Sequence, residues 1–242
     1  MEKLIRFENV VISLKGKVLF PDITFDINRG DRYMLLGKNG SGKSLLMELI
    51  FGGYTNELSR RYSGLEVSGH IYDSNGNDLL DPMTRRTISY VTQNEEFHEN
   101  ATFLSEAKSA CNGIGIDFDE AWFDEMLASF ELTDKKKAKI KKNVSCGEGK
   151  IIHLITRILK LKAADILLLD EPLNHLSFQN SRTFNDIIAE MERQNPNLTI
   201  LMISHCRAIT FVDKIMNYDY EKKEMVSRPY KSFDCFQFSL DN

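Results

Sequence analysis

Gly37-Lys38-Asn39-Gly40-Ser41-Gly42-Lys43-Ser44, directly after the apolar run Tyr33-Met34-Leu35-Leu36, decides how the rest of the chain is read. It fits G-x-x-x-x-G-K-[ST] in the context that gives the pattern meaning: strand, glycine-rich turn, helix. Small residues let consecutive backbone N–H groups turn inward around phosphate oxygens. Lys43 can reach the β and γ oxygens, and Ser44 can hold Mg²⁺ while opening a helix whose positive dipole end faces the anion. The reading is a nucleoside triphosphate site. A chance match in an ordinary turn is the competing reading. With glycine at about 7% of residues, the four fixed positions coincide on the order of once in a hundred chains of this length. Flanks of the right kind lower that further.

Outward from this loop, strand and helix signals continue in both directions. Leu4 to Ser13 and Val18 to Ile27 read as β-rich around the turn Lys15-Gly16-Lys17, with Asn28-Arg29-Gly30-Asp31 as a second turn. A small amino-terminal sheet therefore leads into the site. The helix from Lys43 to about Phe51 stops at Gly52 and Gly53, Glu66 to Asp73 suggests a strand, and Ile88 to Val91 a short one. From Thr102 to Glu131 the period turns helical, with Phe103, Ala107 and Cys111, then Trp122, Phe123, Met126, Leu127 and Phe130. This predicts an inserted helical lobe, roughly 95–160. A helix around Ile151 to Leu161, the strand Ile166 to Leu169, a helix from Phe178 to about Arg193 and strands at Leu198 to Ile203 and Ile215 to Tyr218 complete the alternation. That alternation predicts an α/β fold with a mostly parallel sheet and helices on both faces.

The 242 residues suffice for a good core as one domain, and 42% hydrophobic with 27% charged residues is ordinary globular composition. A formal net charge of -4 argues against a general nucleic-acid binder. Met1 to Arg6 lacks the apolar core of a signal peptide, and no apolar run approaches the roughly 20 residues that span a bilayer. Cys111, Cys146, Cys206 and Cys235 have no C-x-x-C spacing, so zinc is not expected and reduced cytosolic thiols are. The run Lys135 to Lys142 reads as a solvated helix face rather than a lipid or nucleic-acid patch.

Ile166-Leu167-Leu168-Leu169-Asp170-Glu171-Pro172 puts two carboxylates at the carboxyl end of a buried strand, where an α/β sheet presents ligands. Asp170 can bind Mg²⁺, leaving Glu171 to polarise water. Alone, such a pair is often only a helix cap; with the phosphate loop it becomes half of a phosphoryl-transfer site.

At this point the chain resembles an ATP-binding cassette (ABC) ATPase over nearly its full length. The resemblance implies a P-loop NTPase core, an amino-terminal antiparallel β subdomain and an inserted helical subdomain. Arg85 to Gln93 resembles the family's Q-loop, which implies that Gln93 senses Mg²⁺ and water. Asp170-Glu171-Pro172 resembles the Walker B ending, and Ser204-His205 resembles the switch, with His205 on the γ-phosphate. Phosphoryl transfer to water needs a phosphate cradle, a metal ligand, a positioned base and a charge-stabilising group together.

Val144-Ser145-Cys146-Gly147-Glu148 stands where the family has L-S-G-G-Q, the segment that closes over the γ-phosphate of a second cassette. Ser145, Gly147 and Glu148 would face that partner site, while Cys146 adds a side chain where glycine is usual. Ser177 replaces the usual D-loop aspartate. Asn174-His175-Leu176 resembles the soluble translation-factor branch (ABC-F), whose members carry two cassettes in one chain. Leu14 and Lys15 occupy the place of the adenine-stacking aromatic.

The resemblance implies an ATP-hydrolysing subunit with ATP and Mg²⁺ as cofactors. It implies a homodimer or a heterodimer with a second cassette, on the cytoplasmic face of a membrane, energising transport through transmembrane permease subunits. Phe97, Phe103 and Trp122 are expected as anchors for that membrane partner. The rivals are a soluble ATPase acting on ribosome or nucleic acid, and a regulatory cassette that hardly hydrolyses.

Overall fold

The structure, a computed structural model, describes residues 2–84, 88–93, 97–204 and 209–230. The chain forms two compact units. The first is built from the described residues of Met1–Arg86, Asn197–Arg207 and Val212–Asn242, the second from those of Thr87–Pro196 and Ala208–Phe211.

The first unit opens with β1 (Lys3–Leu14) and β2 (Lys17–Asn28), an antiparallel hairpin across Lys15-Gly16. Apolar residues alternate as Ile5 and Phe7, then resume one step out of phase as Val10 and Ile12, yet all four are buried. An irregularity makes this possible. Asn9 adopts φ 49°, the pairing to β2 shifts between Phe7 and Val10, and the second pair of side chains returns to the core face. Next come β3 (Arg32–Leu36), the phosphate loop, α1 (Lys43–Gly52), α2 (Asn56–Arg61) and β4 (Leu65–Asp73). β4 pairs antiparallel with β1 and completes a sheet in the order β2-β1-β4. α2 has no signature in the sequence, because Leu58 is its one apolar residue and carries no period; its start is fixed by Thr55, which accepts from Leu58 N at 3.0 Å.

The second unit begins with β5 (Ile88–Val91), then α3 (Phe103–Asn112), α4 (Glu120–Ser129), the single turn α5 (Ile140–Asn143) and α6 (Cys146–Leu159). β6 (Ile166–Asp170) pairs in parallel with β5, Ile88 opposite Ile166 and Val91 opposite Leu169, and α7 (Phe178–Gln194) follows. Phe103, Ala107 and Cys111 form the buried stripe of α3, and Phe123 with Leu127 that of α4. Phe103 is thus core, and the expectation that it anchors a partner is wrong. The expected lysine-rich helix face holds only in part: Lys137, Lys139, Lys141 and Lys142 are exposed, but the run is split between a turn at Thr133–Lys135 and α5 and is not one helix. Lys136 leaves the helical pattern to pair with Glu120 and Asp124 at 2.7 and 2.6 Å, and Lys139 reaches Asn100. Ion pairing and the bridge of Thr102 to Lys139 outweigh lysine's helix propensity.

The chain then returns to the first unit through β7 (Thr199–Ile203), β8 (Lys214–Asp219) and β9 (Glu224–Pro229). β3 lies between β7 and β8, parallel to both, and β9 joins β8 as an antiparallel hairpin absent from the sequence reading. The fold class is therefore the expected one: α/β, with a mostly parallel set of strands, an antiparallel β subdomain and helices inserted between β5 and β6. Among the described residues, no helix is long and apolar enough to cross a membrane.

Candidate functional site

β3 is buried along nearly its whole length, so it delivers Gly37 to the end of the sheet at a fixed place. Gly42 turns the chain into α1 at φ 95°, a left-handed conformation, with Phe20 and Leu19 packed against it. A Cβ there would lie 3.0 Å from Phe20 Cε2 and 3.1 Å from Leu19 Cδ1, so any other residue suffers strain and crowding together. Among the described helices of ten residues or more, α1 alone starts without a side-chain cap, and no acidic residue lies in its first turn. No side chain of its own therefore competes with an anion for the positive end of the helix dipole. Lys43, nearly buried, donates from Nζ to the carbonyls of Gly37 at 2.8 Å and Lys38 at 2.9 Å, which holds its charge over the loop. Lys38, Asn39, Gly40 and Ser41 form the rest of the curl, and Ser44 occupies the first turn of α1. A cavity of about 460 Å³ opens beside the loop.

In the second unit the buried strand β6 ends at Asp170, with Glu171 following; both are buried. Glu171 has φ 48°, unusual for a non-glycine residue and a form of strain that clusters at functional positions. Tyr90 Oη lies 3.5 Å from Asp170 Oδ2. Past the turn, His175 also takes positive φ, and its carbonyl stands where a Cβ on Gly147 would come within 2.7 Å. Gly147 is therefore a point of close approach between α6 and the loop after β6. Ser177, where aspartate was expected by resemblance, caps α7 by accepting from Asn180 N at 3.1 Å. Either residue type does this well.

Ser145 and Glu148 close a reciprocal cap at the start of α6. Ser145 N donates to Glu148 Oε2 at 2.7 Å, and Glu148 N donates to Ser145 Oγ at 3.3 Å. The backbone bond from Ser145, against a smaller opposing effect of burial, holds the Glu148 carboxyl below its ordinary range. Cys146 is exposed. Gln93 is exposed, and its backbone is tied down from α6: Lys150, buried, donates to the carbonyls of Thr92 at 2.8 Å and Gln93 at 3.2 Å. His153 Nε2 accepts from Thr92 N at 3.3 Å. Burial first, then the charges of Arg157 and Lys150, push His153 down to about 3, so it is a neutral acceptor there.

The first unit thus gathers Gly37 to Ser44. The second gathers Gln93 with Lys150, Ser145 with Glu148, Gly147 with His175, and Asp170 with Tyr90. His205, Arg85 to Thr87, Cys206 and Cys235 lie outside the described residues. Lys150 and His153 escaped the sequence reading because on an amphipathic helix they look like solvated polar positions. Tyr218 and Tyr220, which line the cavity beside the phosphate loop, escaped it too. Their signal was an aromatic pair two residues apart at a strand end.

The family model described as ABC transporter matches residues 20–174, a span that holds both the phosphate loop and the Asp170-Glu171 pair. The chain belongs to the ABC transporter family. It is an ATP-binding, ATP-hydrolysing cassette, as its members are. The cassette is 25% identical over 207 residues to the ergothioneine transport ATP-binding protein EgtV of Helicobacter pylori (strain G27), covering 85% of this chain and 91% of that one. It is 27% identical over 216 residues to the ribosome protection protein VmlR of Bacillus subtilis (strain 168), covering 89% of this chain but only 34% of VmlR. Among solved structures, an ATP-binding subunit of an ABC transporter superposes with a TM-score of 0.73 at 20% identity, covering 98% of the cassette and 94% of that chain.

Proposed function

We propose that this cassette, residues 1–242 acting as one ATPase domain with its helical subdomain at roughly 95–160, energises transport across a membrane. It does so from the cytoplasmic face, by binding and hydrolysing MgATP against transmembrane permease subunits. The observation that carries the reading is a cradle of uncapped helix N–H groups with Lys43 held over it, in a chain that ends a buried strand on Asp170 and a strained Glu171. The match to EgtV over nine-tenths of that protein's length favours a transport subunit over the ribosome-acting rival. VmlR is matched over a third of its length.

In this reading Gly37 to Ser44 hold the phosphates and Glu171 orients the attacking water. Gln93 and His205 complete the catalytic set. Ser44, Asp170 and Gln93 offer hard oxygen donors of the kind Mg²⁺ takes, few in number as suits an ion that keeps waters and phosphate oxygens. When bound, Mg²⁺ would neutralise charge building on the phosphate oxygens. Ser145, Gly147 and Glu148 would serve the site of a second cassette, in a homodimer or heterodimer, and no nucleic acid is needed.

The test is isolation of the full chain as Glu171→Gln from gently solubilised membranes with ATP present. Co-purification of a polytopic membrane protein is expected. Recovery with ribosomes instead would overturn the transport reading in favour of the soluble one.

A further inference from the structure

The cavity beside the phosphate loop has an aromatic wall. Its lining includes Val18, Phe20, Tyr218 and Tyr220 together with Gly37 to Ser41, so a triphosphate seated on the loop would leave its nucleoside in this space. Leu14 and Lys15, at the β1–β2 turn, are not part of that lining. A volume of about 460 Å³ suits a nucleoside.

Tyr220 is the ring whose state needs explaining. It is 56% exposed and yet held from several directions. Its hydroxyl donates to Leu19 O at 3.0 Å, tying the β8–β9 hairpin to β2. Behind it Tyr218 packs edge-on with ring centroids 4.9 Å apart, and Tyr218 in turn meets Phe20 at 5.8 Å. The turn that follows is fastened by Asp219, whose Oδ1 accepts from Glu221 N at 3.0 Å and Lys222 N at 3.1 Å. An aromatic ring fixed in place, facing a cavity and left uncovered is a preorganised stacking surface, because little entropy remains to be lost when a planar group covers it. Val18, 49% exposed on the same cavity, adds a second apolar surface.

We propose that Tyr220 is the base-stacking platform of the nucleotide site. The proposal rests on the reading of the phosphate loop as an ATP site. Stacking uses the face of the base and not its edge, so the platform accepts adenine and guanine alike.

The test measures binding of MgATP, MgGTP and magnesium tripolyphosphate to the full chain. Tyr220→Leu is expected to weaken both nucleotides about tenfold and to leave tripolyphosphate unchanged. Tyr220→Phe, which loses the bond to Leu19 but keeps the ring and its packing on Tyr218, should lose no more than about twofold for the nucleotides and nothing for tripolyphosphate. Lys43→Ala should lose all three. Wild-type nucleotide affinity in Tyr220→Leu, with Lys43→Ala still defective, would overturn the platform while leaving the ATP site standing. Equal loss of nucleotide and tripolyphosphate in Tyr220→Leu would also overturn it, since Tyr220 would then support only the loop. Normal ATP binding by Lys43→Ala would instead remove the ATP-site reading on which the platform stands.

Discussion

Glu171 is held in a left-handed backbone conformation beside Asp170, and it is the side chain whose loss should separate binding from chemistry. Glu171→Gln is expected to bind ATP normally and to lose roughly 10²–10⁴ in turnover, as removal of a general base does. Steady-state hydrolysis at saturating MgATP, with the proposed membrane partner present, checks it; an unchanged rate would sink the assignment. The start of α6 offers a contrast between neighbours. Cys146 is exposed, so Cys146→Gly should cost little stability while restoring the small residue usual there and raising turnover. Gly147→Ala would drive a methyl against His175 O and should lower stability by roughly 1–3 kcal/mol, read from a denaturant midpoint. Ser145→Ala breaks the reciprocal cap and should cost about 1 kcal/mol. In all three, stability and turnover are measured on the same preparation. The phosphate loop and the carboxylate pair were legible in the sequence because their chemistry demands particular residues at particular spacing. Lys150 and Tyr220 were not, because what matters about them is which distant backbone or cavity they meet.

At the scale of elements, α6 carries an acid-sensitive helix face. His153 is buried, and its pKa of about 3 lies below the ordinary value of 6.5, so between those values the unfolded chain takes up a proton that the folded one refuses. Stability from this group is therefore complete above pH 6.5 and falls as pH drops through the window toward 3. Going from pH 7 to pH 5 should cost about 2 kcal/mol, since each pH unit below 6.5 is worth about 1.4 kcal/mol. Urea midpoints at several pH values check this, and His153→Gln should flatten the slope. Asp31 does not confuse the measurement. Burial opposes its ionisation, but hydrogen bonds from Lys214 and Asn28 win and hold it below 3.8, so its contribution is lost only at lower pH. Long periodic elements such as α7 and buried strands such as β6 were readable from the chain. α2 and the hairpin strand β9 were not, because a lone leucine or an exposed edge strand carries almost no period.

For the molecule as a whole, an α/β cassette was readable from the alternation of elements and from four short motifs in order, whereas the ends of the lysine-rich segment and the true surface of the helical lobe were decided by tertiary pairing. Phe103 illustrates the difference: its spacing gave its helix, but not that the helix would turn it inward. Phe97 and Trp122 remain half-buried. On the proposed transport reading, charge substitution at Phe97 should release the chain from membranes while leaving ATP binding intact, which flotation with a nucleotide-binding control would check. The contacts of Lys43 with the carbonyls of Gly37 and Lys38 also say why a lysine stands there. One ammonium carries three hydrogens on a single atom, so it can keep hold of the loop while turning the third toward a phosphate oxygen. A planar guanidinium with its fixed fork could not serve both at once, and Lys43→Arg should therefore weaken binding of MgATP even though the charge is kept, which titration calorimetry would check.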